Sequence, residues 1–93
     1  MGIILFFFSN DPEPIQVHGQ KREFESKANF MIENGEIILI QFVNVKGKEP
    51  LKNKDLLDFK IFVRKYHFQI FHKWKDYFEE KKKVTFEVIK IIK

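Results

Sequence analysis

Hydrophobic and polar residues follow two different periods along this chain, and the change comes at Leu56. Before it the spacing is that of strands. Ile3–Phe8 is an unbroken apolar run of strand length. Asn10 and Asp11 followed by Pro12 and Pro14 mark a turn, since Asx side chains start turns and proline fixes φ. Ile15–Gln20 alternates apolar Ile15 and Val17 with polar Gln16 and His18, the pattern of a half-buried strand. Gly19 within it marks a bulge or the strand's end. Gln20–Ser26 reads as a charged connection, and Lys27–Glu33 follows with Ala28, Phe30 and Ile32 on one face. Asn34-Gly35 is the strongest hairpin signal, because a type I′ turn needs positive φ at both central residues. Glu36–Val43 returns from it. A two-residue loop sets Ile32 opposite Ile37 and Phe30 opposite Leu39, with Glu33 against Glu36 at a small electrostatic cost. Met31, Ile38, Ile40 and Phe42 supply the other face. The return strand is therefore expected to be covered on both sides and central in the sheet.

Asn44–Lys54 is a loop punctuated by Gly47 and Pro50. Asn53 is the expected N-cap, and Asp55 suits the positive end of a helix. From Leu56 the period becomes about 3.6: Leu56, Phe59, Val63, Tyr66, Ile70, Trp74, Tyr77 and Phe78 fall near one stripe. Lys81, Lys82 and Lys83 end it, where cations suit the helix C-terminus. One helix from Lys54 to Lys82 would run about 43 Å at 1.5 Å per residue, whereas a domain this size has a diameter of only about 30 Å. A break around Arg64–His67 follows, giving two helices or one bent helix. Val84–Ile92 returns to strand-like composition suited to a sheet edge. Its alternation fails at Val88-Ile89, which leaves a helical tail as the alternative. The expected class is α+β: an antiparallel meander of about four strands, two helices and a C-terminal edge strand.

With 93 residues there is room for one domain. Twelve Phe among them is a large aromatic supply, and each aromatic buries about 150–250 Å². So small a domain cannot hide them all. An exposed aromatic patch, with Tyr66, His67, Trp74 and Tyr77 as the candidate interaction surface, points to a protein partner or a homodimer. The chain has no Cys, which removes disulfides, thiolate nucleophiles and Cys-ligated metals together and favours the cytoplasm. The apolar start lacks a basic n-region and a cleavage site, and falls far short of the roughly 20 residues of a membrane span. No membrane association and no cofactor are expected. The net charge is +4, but of the 17 cations only Arg22 and Arg64 are Arg, the residue that reads phosphates bidentately. Arg64, Lys73, Lys81, Lys82 and Lys83 are the candidate phosphate contacts of a nucleic-acid-binding alternative.

Catalytic chemistry has few places to sit. His67 and His72 are five apart, about 140° around a helix, so a shared metal is not expected and surface residues are the simpler reading. His18 is a candidate base beside Gln16, with Asp11 or Glu13 as its acid, in a hydrolase or nuclease alternative. A solvated His18 is the simpler reading. Glu13, Glu23, Glu25, Glu33 and Glu36 crowd predicted turns, where acids are common anyway. There are two Ser and no G-x-S-x-G, Walker A or G-x-G-x-x-G sequence. Trp74, Tyr77 and Phe78 beside Lys73 form an aromatic and cationic cluster that can stack on bases, although at helical spacing core packing explains them more simply.

Several short motifs, taken in order, resemble domain-of-unknown-function family 4160: Phe6-Phe7-Phe8-Ser9-Asn10, Glu13-Pro14-Ile15-Gln16-Val17-His18, Lys27-Ala28-Asn29-Phe30 and Lys73-Trp74-Lys75-Asp76-Tyr77-Phe78. The resemblance spans about Ile3 to Phe78. It implies a small bacterial protein whose activity is unknown, encoded beside a second small protein in a toxin–antitoxin-like arrangement. It also implies two alternating histidines on the second strand, which fall here on Gln16 and His18. The first of them is replaced, so a histidine-dependent chemistry is put in doubt. Gly19 departs from the pattern too. The expectation is a non-enzymatic interaction or regulatory module of a two-gene operon.

Overall fold

The computed structural model describes residues 2–7, 15–79 and 87–92. Their elements are β1 (Ile3–Phe7), β2 (Ile15–Lys21), β3 (Phe24–Glu33), β4 (Glu36–Asn44), α1 (Asn53–Lys65), α2 (His67–Glu79) and β5 (Glu87–Ile92). The strands form one antiparallel sheet in the order β4-β3-β2-β1-β5. This is the expected α+β architecture, with the C-terminal segment adopting the strand rather than the helical alternative.

Strand alternation sends Ile3, Leu5, Phe7, Ile15, Val17, Ala28 and Phe30 to one face. There they form a single buried cluster with Phe59 and Val63 of α1 and Ile70 and Trp74 of α2. From Leu56 to Trp74 the helical stripe thus does what its spacing predicts, while the side chains of Tyr77 and Phe78 lie outside the described residues. A straight rod over Asn53–Glu79 would measure about 40 Å, longer than the molecule's greatest extent of 34 Å. The chain breaks at Tyr66, inside the expected window, with φ −112° and ψ 22°. The turn is tied on both sides: the Tyr66 N–H donates to the Phe62 carbonyl and the Ile70 N–H to the Tyr66 carbonyl, each at 3.0 Å. His67 Nδ1 donates to the Arg64 carbonyl at 2.7 Å, satisfying an acceptor freed at the end of α1.

Several expectations are corrected. First, β4 is an edge strand, not a central one, because β5 adds to β1 and moves the sheet's centre to β2. Second, a bulge at Ile38 leaves Ile32 opposite Ile37 and Glu33 opposite Glu36 as expected, but pairs Phe30 with Ile40 and Met31 with Leu39. Third, the Gln20–Ser26 connection contracts to a two-residue turn, Arg22-Glu23, between Lys21 and Phe24, with Arg22 at φ +57°. Fourth, Asn53 makes no side-chain cap. The Lys52 carbonyl accepts from the Asp55 N–H at 2.9 Å, while Asn53 takes a left-handed φ of +41° that Asn tolerates better than most residues.

Gly19 neither bulges nor ends its strand. It sits mid-strand, opposite Leu5 and Ser26. A Cβ there would lie 2.5 Å from Cδ1 and 2.7 Å from Cε1 of Phe59. The missing side chain is the space the Phe59 ring fills, and it seats α1 on the sheet. Gly19→Ala is expected to destabilise by about 1–3 kcal/mol through overpacking. Gly19→Ala with Phe59→Leu should lose less than the sum of the two single variants, as read by urea midpoints, because the smaller side chain gives back the space.

Candidate functional site

The two-residue turn between β2 and β3 fixes which side chains meet on the face away from the helices. It sets Gln20 opposite Glu25, His18 opposite Lys27 and Gln16 opposite Asn29. Glu25 is therefore the diagonal neighbour of His18, within reach across an antiparallel pair. The contact is made: His18 Nδ1 lies 2.9 Å from Glu25 Oε2. From the other side Phe6, directly opposite His18 on β1, stacks on the imidazole with ring centroids 5.1 Å apart and planes 13° off parallel. His18 is 6% exposed and Glu25 7%.

His18 is thus neither solvated nor on an open polar face, as its strand pattern suggested. Burying His18 Nδ1 and Glu25 Oε2 is tolerated because these two atoms satisfy each other. The acid was not among the sequence candidates for this role: Glu25 partners His18, while Asp11 and Glu13 lie outside the described residues. Gln16, in the place of the resembled family's first histidine, accepts a hydrogen bond from Lys27 Nζ at 3.3 Å.

A carboxylate on imidazole Nδ1 is the arrangement that orients a general base. Among the described residues the rest of such a site is not built around it. The Ser26 hydroxyl accepts from the Leu51 N–H at 3.0 Å, and Ser26 stands opposite Gly19 on the helix-covered side. Among the described residues no three His, Cys, Asp or Glu side chains converge as a metal site. What the pair does physically is lock β2 to β3 beneath Phe6.

The remaining candidates are scattered over the helical side. Trp74 is buried in the core, as the core-packing reading had it, so its ring is not available as an interaction surface. Tyr66 and His67 are half-buried at the helix break, and His72 is exposed. Tyr66 packs on Phe62 with centroids 4.6 Å apart. The Arg64 guanidinium lies 5.0 Å from the centre of the Phe42 ring, and Lys60 Nζ 5.7 Å from it. Lys73 is half-buried. The side chain of Tyr77 and residues Lys81, Lys82 and Lys83 lie outside the described residues.

Sequence reasoning missed a different group. Leu57 (55%), Ile61 (52%) and Phe68 (62%) are large apolar side chains left exposed on α1 and α2. Leu57 and Ile61 are one turn apart, off the core stripe, and that spacing was there to be read. No described helix is long and apolar enough to cross a membrane. Set against family models, curated proteins and solved structures, the chain matches none.

Proposed function

We propose that this chain is a non-enzymatic protein-interaction module that docks a protein partner on the outer surface of its two helices. The observation that carries this reading is the exposure of Leu57, Ile61 and Phe68. Each leaves more than half of a large apolar side chain in water, and burying one is worth about 1.5–3 kcal/mol. The half-buried Tyr66 lies between Ile61 and Phe68 in sequence, and tyrosine is enriched among the residues that carry binding energy. The resemblance to a family encoded as one of two adjacent genes makes the adjacent gene's product the partner to try first. The competing readings have weaker support. Arg64 and Lys60 rest against Phe42, which gives both a structural use, and the imidazole a hydrolase would need is buried against Glu25.

Co-expression with the adjacent gene's product is the test. A stable complex is expected, and Ile61→Glu with Phe68→Glu should weaken it at least about 30-fold, the effect of losing hot-spot side chains. Both positions are exposed, so the variant keeps its fold. A chain that elutes alone, or a double variant that binds as before, overturns the reading.

A further inference from the structure

The edge of the sheet carries a second surface, independent of the helical one. β4 exposes its outer rim, and from Ile37 to Val45 the chain has no charged residue and no proline. Natural edge strands usually carry such residues to block pairing with another strand. Here the only such device is the bulge at Ile38, which interrupts the rim but leaves Leu39–Asn44 regular. Leu39, 49% exposed, stands on this rim.

We propose that two copies of this chain associate through antiparallel pairing of their β4 edges, joining two five-stranded sheets into one. The strand is complementary to itself under a two-fold axis, as an isologous interface must be. With the axis at Gln41, Leu39 of each copy meets Val43 of the other on the helix-free face. Ile40 meets Phe42 on the helix-covered face. The two Gln41 side chains meet each other, and a primary amide can both donate to and accept from its twin. The ends match in charge as well. Exposed Glu36, with Glu33 across from it, closes one end of β4, and exposed Lys46 and Lys48 follow the other. Antiparallel pairing sets the acidic end of each copy beside the basic end of its neighbour, twice per dimer. Glu49, also exposed at the basic end, offsets one of the two lysines and leaves that end with a net positive charge. This self-complementarity favours a second copy over an unrelated strand as the occupant.

Sedimentation velocity of the full chain across a concentration series tests the proposal. A dimer of twice the 11.3 kDa chain mass is expected. Leu39→Lys places a charge at the centre of the interface, on a side chain that already reaches solvent, and should return the protein to monomer with an unchanged circular-dichroism spectrum. Glu36→Lys alone, and Lys46→Glu with Lys48→Glu alone, should each weaken self-association about tenfold, with a 1:1 mixture of the two recovering it. Ile61→Glu should leave the dimer intact, which separates this interface from the helical docking surface. A chain monomeric at every concentration overturns the proposal, as does a dimer indifferent to Leu39→Lys.

Discussion

His18→Ala is expected to destabilise the protein by about 3 kcal/mol or more, while Glu25→Gln costs only about 1 kcal/mol. The asymmetry follows from what each change leaves behind. Removing the imidazole strands a carboxyl group that is 7% exposed and opens a void beneath Phe6. Leftover charge and lost packing then add to the missing hydrogen bond. Glu25→Gln keeps the shape of the side chain and an oxygen that still accepts from Nδ1. Replacing both partners by leucine should recover much of the loss of His18→Ala, because neither polar group is then stranded. Urea midpoints of His18→Leu, Glu25→Leu and the double leucine variant close a cycle and give the coupling directly. Additive effects would mean that the 2.9 Å contact contributes nothing to the fold.

Phe59→Ala is the second large effect, expected at about 3–5 kcal/mol for a fully buried aromatic. In a domain of this size that lowers the melting temperature by roughly 15–30 °C. The ring does more than fill volume. It occupies the space left by Gly19 and meets Phe42 edge-on, with centroids 5.9 Å apart and planes at 80°. Phe59 thereby joins α1 to both the central and the edge strand. Thermal unfolding followed by circular dichroism reads the loss. A shift of only a few degrees would mean that α1 does not depend on this seat.

Where the sequence could be read and where it could not has a physical pattern. Asn34-Gly35 was legible because its chemistry is local: both residues adopt positive φ, at 54° and 79°. The helix break was legible because length alone forbids a rod. Arg22-Glu23 was hidden, since a positive-φ Arg carries no turn signature, and without that turn Glu25 could not be placed beside His18. The rank of β4 was misjudged for another reason. Its apolar content suggested a central strand, but position in a sheet is decided by long-range pairing, here that of β5 with β1. The true centre, β2, holds Gly19, Gln16 and His18 and looks like an edge. Its polar face is tolerable only because Glu25, Lys27 and Phe6 cover or bond it, which no pattern within β2 reveals.

His18 and Glu25 belong to the scaffold, and the proposed function lies on the outer helical surface. Binding of the proposed partner by the His18→Leu, Glu25→Leu double variant tests that division most directly. The predicted result is a cooperatively folded protein that binds its partner within about twofold of the unaltered chain, since no contact at the docking surface has changed. A variant that folds as well but no longer binds would contradict it, and would place the function at the histidine instead.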